Sequence, residues 1–236
     1  MKILFFCLPL FCFQCFILNG QSPSSAFARN QQNNNSLKIL ALGDSYTYGE
    51  SICEACRFPN QLRDSLEKRL EKTIHLEVIA KSGWTTSDLK SAINDKKLTR
   101  DWNLVTLLIG VNNQYRHLPF EIFEKEFPEL MNKSKRLSGG DWNNIMVISI
   151  PDYAYTPFRG GGSLISEDIK KYNDFIEQFC MKRGVSFVYI TDITQKGLEE
   201  PELIASDGLH LSTLANSKFV DVMLPIALKK LQQTTH

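Results

Sequence analysis

Short segments scattered along the chain hold side chains that together could carry out acyl transfer. Ser45 stands in Gly43-Asp44-Ser45-Tyr46-Thr47-Tyr48-Gly49, where Gly43 lets the backbone bend and present a hydroxyl on a tight turn. A serine hydroxyl is a weak nucleophile until a base takes its proton, and the base needs a partner that fixes its tautomer. His210 can be that base, with Asp207 as its partner in Ser206-Asp207-Gly208-Leu209-His210. Negative charge growing on a carbonyl oxygen needs preorganised donors. The backbone N–H groups of Ser45 and Gly83 and the side-chain amide of Asn112 can supply them. Each residue alone has an ordinary use: Ser45 as a helix cap, Asp207-Gly208 as a turn, Gly83 for a positive φ, Asn112 to close a turn. Their joint occurrence, in the order Ser, Asp, His, is what points to chemistry. The arrangement is not the G-x-S-x-G elbow, because Thr47 stands where the second glycine is required.

These segments need a frame that brings them to one place. Short aliphatic runs alternate with longer amphipathic stretches, the pattern of a parallel sheet covered on both faces by helices. The runs Leu37–Leu42, Ile74–Ala80, Asn103–Ile109, Asn144–Ile150 and Val185–Ile190 read as strands. Helices are expected over Pro59–Lys72, with Leu62, Leu66 and Leu70 as its apolar stripe, and over Thr85–Lys97, Pro119–Leu137, Ser166–Arg183 and Ser212–Gln232. Thr85, Thr86 and Ser87 are capping candidates for the second helix, and Ser166 for the fourth. The expected fold is α/β: a three-layer α/β/α sandwich with a five-stranded parallel, flavodoxin-like sheet. Open sheets of this kind bind ligands outside the carboxyl ends of their strands. The segments starting at Gly43, Gly110 and Pro151 each follow a strand directly, and that starting at Ser82 follows one after Lys81.

Lys2 precedes an apolar run, Ile3–Leu18, broken by Pro9 and Gln14 and followed by a polar stretch ending in Ala26-Phe27-Ala28. This reads as a secretory signal peptide over residues 1–28, followed by a flexible lead-in (29–36) and a single domain (37–236). Export to the periplasm or the extracellular space follows; a retained anchor and a lipidated Cys15 are the lesser alternatives. The 236 residues are 43% hydrophobic and 22% charged with a net charge of +1, enough apolar mass for one core and no field that favours nucleic acid. Beyond the signal, Cys53, Cys56 and Cys180 remain. Cys53 and Cys56 could form a local disulfide, stay as free thiols or act as a redox dithiol. Half of a zinc site is disfavoured, since His75, His117, His210 and His236 make no ligand pattern. No metal or cofactor motif is evident.

Gly43-Asp44-Ser45, Gly83, Gly110-Val111-Asn112 and Asp207-Gly208-Leu209-His210 resemble the four sequence blocks of the GDSL, or SGNH, hydrolase family. The resemblance runs from about Leu37 to Leu231, and Ser82-Gly83-Trp84-Thr85-Thr86 with Asn112-Asn113-Gln114-Tyr115 is similar to a lysophospholipase-like bacterial branch. It implies a flavodoxin-like sheet and metal-independent hydrolysis of esters or thioesters. Ser45 would be the nucleophile, His210 the base and Asp207 its orienter, with Gly83 and Asn112 as oxyanion donors. Two positions depart from the family pattern: Asn113 stands where an aspartate is common, and Tyr46 where an aliphatic residue is frequent. Tyr46, Trp84, Tyr115 and Tyr153 are candidates to line a substrate pocket, with Arg116, Phe158 and Arg159 nearby and Gly160-Gly161-Gly162 as a rim loop.

The expected activity is that of an exported serine ester hydrolase acting on lysophospholipids or on short-to-medium acyl esters and thioesters. Carbohydrate O-acetyl esters come next. A dithiol oxidoreductase and a non-catalytic lipid- or glycan-binding protein are the competing readings. The expected partner is a small-molecule substrate, an acyl ester, lysophospholipid or acetylated sugar, with no nucleic acid and no stable protein partner.

Overall fold

β1 (Ser36–Gly43), β2 (Thr73–Ala80), β3 (Leu104–Leu108), β4 (Ile145–Ile148) and β5 (Ser186–Val188) form one five-stranded sheet in the order β2-β1-β3-β4-β5. All four pairings are parallel. This is a computed structural model that describes Met1 and residues 36–233. The expected signal peptide, apart from Met1, and the expected lead-in, apart from Ser36, therefore lie outside the described residues. Every residue of β3 and β4 is buried, as a sheet covered on both faces requires. The long helices are α2 (Phe58–Leu70), α3 (Thr86–Asp95), α5 (Phe120–Leu137), α6 (Ser163–Arg183) and α8 (Thr213–Gln233). Three shorter helices, α1 (Ser45–Tyr48), α4 (Val111–Tyr115) and α7 (Thr191–Thr194), were not expected from periodicity. Each is a single turn near a strand end, too short to carry a repeat.

α2 packs on α8 and α3 on α5, and the fully buried Phe58, Phe123, Phe127 and Phe219 fill the layers between helices and sheet. The central strand β3 runs into α4 through Ile109-Gly110, and its neighbour β1 into α1 through Gly43-Asp44. α3 begins with a reciprocal capping box, Thr85 accepting from the Asp88 N–H while the Asp88 carboxylate accepts from the Thr85 N–H. No helix among the described residues is long and apolar enough to cross a membrane.

One helix start and the ends of two strands shift from their expected places for physical reasons. α6 starts at Ser163 with Gly162 at its N-cap, so Ser166 lies inside the first turn, its hydroxyl donating back to the Gly162 carbonyl. Gly160 and Gly161, at φ 69° and 101°, turn the chain into the helix without a side-chain cap. The fourth and fifth strands end sooner than the apolar runs because the backbone ladder goes no further than the Ser149 N–H, which donates to the Val188 carbonyl at 2.9 Å. The Ser149 hydroxyl accepts from the Ile190 N–H and from the Thr191 hydroxyl, both at 2.8 Å, in place of a backbone carbonyl.

Candidate active site

The turn after β1 is built around two residues that precede Ser45. A Cβ on Gly43 would lie 2.6 Å from the Leu108 carbonyl and would overlap the Thr47 hydroxyl, so the approach of β1 to β3 demands glycine there. The α1 cap is Asp44, whose Oδ1 accepts from the Tyr46 N–H at 3.1 Å. The capping role that a serine there could ordinarily play thus belongs to its neighbour, and Ser45 is the first residue of the helix. Asp44 is fully buried, and its Oδ2 has no partner among the described residues. Burial pushes its carboxyl up to about 7, against the lowering effect of the Tyr46 N–H.

The turn before α8 carries the second group. Asp207 Oδ1 accepts from the N–H groups of Leu209 and His210, both at 2.9 Å. Its Oδ2 lies 2.7 Å from His210 Nδ1 and accepts from the Ser51 hydroxyl at 2.6 Å. Partial burial opposes the charge on Asp207, but the Ser51 hydroxyl, the Leu209 N–H and the two His210 donors outweigh it. Together they hold the carboxyl well below the usual carboxylate range. A charged carboxylate on Nδ1 leaves Nε2 as the imidazole's free proton acceptor, the tautomer a general base needs. The Tyr46 ring packs against the imidazole, centroids 5.4 Å apart. Burial, reinforced by the charges of Asp44 and Asp207, drives the Tyr46 phenol above its ordinary range and keeps it neutral.

The loops after β2 and β3 hold each other. Gly83 has φ 78°, and the Arg116 guanidinium donates to its carbonyl. Asn112 Nδ2 donates to the Trp84 carbonyl at 3.0 Å, which orients the amide and leaves its second N–H for another acceptor. Asn113 is buried and ties the same two loops: its Oδ1 accepts from the Thr86 N–H at 3.0 Å and its Nδ2 donates to the Thr86 hydroxyl at 2.8 Å. That hydroxyl in turn donates to Glu126 Oε2 at 2.6 Å.

A cavity of about 180 Å³ collects Ser45, Gly83, Asn112 and His210, with Tyr46, Tyr115, Tyr153, Val111 and Leu209 among its walls. Of the expected substrate-lining residues, Trp84 is absent from these walls; its ring packs against the core, and its carbonyl serves Asn112. Tyr153 is fixed through its hydroxyl, which donates to Gln114 Oε1 at 2.7 Å. The Arg159 guanidinium lies over the rings of Tyr115, Tyr153 and Phe158, at 5.6, 5.7 and 5.2 Å. The glycine-bearing loop that carries it is attached to the Asp207 turn by the Phe158 N–H donating to the Gly208 carbonyl. A larger cavity of about 490 Å³ beside α6 contains none of the residues expected to do chemistry.

Cys53 and Cys56 are joined in a disulfide around a single turn of 3-10 helix, and Cys180 is a buried thiol pushed up to about 12 by burial. Among the described residues, no cluster of His, Cys, Asp and Glu has the makings of a metal site. The Ser51 contact with Asp207 had no sequence signal, since 156 positions separate the two. Leu209 and Val111 line the cavity as neighbours of motif residues and were likewise not singled out.

Fold and site define an α/β sandwich with a serine, a carboxylate-paired histidine and oriented amide donors at the carboxyl ends of its strands. The model of the GDSL-like lipase/acylhydrolase family matches residues 41–217, and the chain belongs to that family. No curated protein sequence gives a significant match. A variant of an acetyl xylan esterase from Geobacillus stearothermophilus superimposes with a TM-score of 0.64 at 19% identity, covering 81% of this chain and 94% of that one. A psychrotrophic esterase from Pseudoalteromonas sp., inhibited by monoethylphosphonate, gives 0.59 at 19% identity, covering 83% and 98%. The structure titled TesA gives 0.59 at 15% identity, covering 82% and 99%.

Proposed function

We propose that this chain is an exported serine ester hydrolase that works through an acyl-enzyme. The observation that carries the proposal is the convergence of Ser45, Gly83, Asn112 and the Asp207-paired His210 on one cavity. In the first step Ser45 Oγ attacks the ester carbonyl while His210 Nε2 takes its proton, and that proton then passes to the departing alkoxide. In the second step His210 takes a proton from water, the hydroxide attacks the acyl carbon, and the proton returns to Ser45 as the acid leaves. The Ser45 and Gly83 N–H groups and the Asn112 amide face the oxyanion in both steps.

Cavity size bears on the substrate. Pockets for drug-sized ligands run from roughly 300 to 1,000 Å³, and the 180 Å³ cavity is smaller than that. It suits a short acyl group with the leaving group outside. Short-chain esters therefore move ahead of lysophospholipids. Carbohydrate O-acetyl esters rise beside them, in keeping with the acetyl xylan esterase among the structural neighbours.

The test is hydrolysis of p-nitrophenyl esters over an acyl-length series by residues 29–236, beside Ser45→Ala and His210→Ala. The expected result is a burst of nitrophenol with acetate or another short ester, a rate that falls with chain length, and background rates in both variants. A native protein no faster than Ser45→Ala on every ester, including acetylated sugars, would overturn the proposal and leave a binding role. Export is tested separately by the N-terminal residue of the protein recovered outside the cytoplasm, expected to be Arg29.

A further inference from the structure

We propose that Ser51 is a positioning residue for catalysis, its hydroxyl locking the Asp207–His210 pair to the turn that carries Ser45. The inference rests on the serine hydrolase reading above and adds a residue to its machinery. Among the described residues, three of the four hydrogen bonds to the Asp207 carboxylate come from its own turn: the N–H groups of Leu209 and His210 and the His210 ring. Those bonds fix the carboxylate relative to its loop and say nothing of where the loop sits. The fourth comes from Ser51, in the segment that follows the nucleophile helix, at 2.6 Å and to the same Oδ2 that holds the imidazole.

Ser51 is itself held by the nucleophile turn. The N–H groups of Gly49 and Glu50 both donate to the Ser45 carbonyl, at 2.8 and 3.0 Å, and the Ile52 N–H donates to the Gly49 carbonyl. The Glu50 carboxylate accepts from the Ser82 hydroxyl, beside Gly83. The Cys53–Cys56 disulfide closes the next turn of the same segment. Glu50 and Ser51 thus join the nucleophile turn, the Gly83 loop and the acid–base loop.

The backbone supplies an independent argument. Ser51 has φ 65°, in the left-handed region where glycine sits without strain and a residue with a Cβ does not. A strained conformation at a site edge is a sign that the side chain does something glycine could not. Here the hydroxyl bonded to Asp207 is that function. Ser51 is not among the residues lining the cavity, so its effect falls on the chemical step and not on substrate binding.

Strain and hydroxyl can be separated by two substitutions. Ser51→Gly removes both, so Tm should move little, relief of the left-handed backbone offsetting the lost bond to a charged carboxylate, while kcat falls on the order of tenfold at unchanged KM, since about 1.4 kcal/mol of lost orientation is a factor of ten. Ser51→Thr keeps the hydroxyl and worsens the strain, because a β-branched residue tolerates positive φ poorly; Tm should fall and kcat stay within about threefold of native. A purely structural role predicts that activity follows stability in both variants. Native kcat in Ser51→Gly, or a loss in folded Ser51→Thr equal to that in Ser51→Gly, overturns the proposal. If the native protein hydrolyses no ester at all, the hydrolase reading fails and this one with it. An active native protein with an unaffected glycine variant refutes only the role of Ser51.

Discussion

Replacing Asp44 by asparagine should make the protein more stable at alkaline pH and barely change it in acid. Asp44 has a carboxyl with no access to solvent, one oxygen accepting from the Tyr46 N–H and the other without a partner among the described residues. Burial lifts it from an ordinary 3.8 to about 7. A carboxyl whose folded pKa lies above its unfolded one binds its proton more tightly in the folded state. Its neutral form is favoured on folding, so stability falls as pH rises from the unfolded value and levels off above the folded one. At about 1.4 kcal/mol per unit, the loss between about pH 5 and pH 9 approaches 3 kcal/mol. In Asp44→Asn the amide oxygen would accept the same Tyr46 N–H and keep the cap, and the side chain would carry no ionisable proton. Thermal unfolding of both proteins across that range measures the effect, because every other titrating group is common to them. At about 2–4 °C per kcal/mol, the gap in Tm should widen by roughly 6–12 °C from acid to alkaline buffer. Ester hydrolysis should survive the substitution, since Asp44 does not line the cavity. A Tm gap independent of pH would refute the argument that a buried, ionising carboxyl sits beneath the nucleophile.

Three further outcomes are expected. Asn112→Ala should lower kcat for a short-chain ester by roughly a hundredfold to a thousandfold, with little change in Tm, because among the described residues its amide bonds only the Trp84 carbonyl. The double variant Cys53→Ser, Cys56→Ser should lose about 2 kcal/mol of stability, or about 4–8 °C in Tm, as the closure of so short a loop implies; it should still hydrolyse esters, which a redox dithiol could not do. Asn113→Asp should cost on the order of 1–3 kcal/mol, and adding Glu126→Gln should restore most of it, read as the coupling energy of a double-mutant cycle in urea.

The fold was legible because the parallel sheet is buried on both faces, and such strands announce themselves as unbroken apolar runs: Leu104–Leu108 and Ile145–Ile148 are buried at every position. Strand lengths were overread where a side chain does the work of the ladder. Nothing in Ser149-Ile150-Pro151 shows that the Ser149 hydroxyl will take the Ile190 N–H. The start of α6 was missed for the complementary reason, that glycines turn the chain into a helix and no cap residue marks the place.

At the site, legibility stopped at the distance over which residues recognise one another. Asp207 and His210 could be paired because they share a turn, and the distance of 2.7 Å follows from that closeness in sequence. Ser51 could not, because only the folded sheet brings it to Asp207. Asn113 is the most telling position. By the pattern of its family it is a departure, an amide where a carboxylate is common. In the structure the amide is required: the Thr86 hydroxyl spends its one proton on Glu126, so its lone pairs need a donor, and the Asn113 amide supplies it while its oxygen accepts the Thr86 N–H. Burial opposes the Glu126 charge, but Thr86, Lys90 and Ser87 hold the carboxyl below its usual range, so it remains an acceptor. Two carboxylates around a single hydroxyl would leave one of them without its proton donor. Asn113 and Glu126 thus share one hydroxyl, whose proton goes to the acid and whose lone pair takes the amide, and a motif that covers only one of the two positions does not carry that pairing.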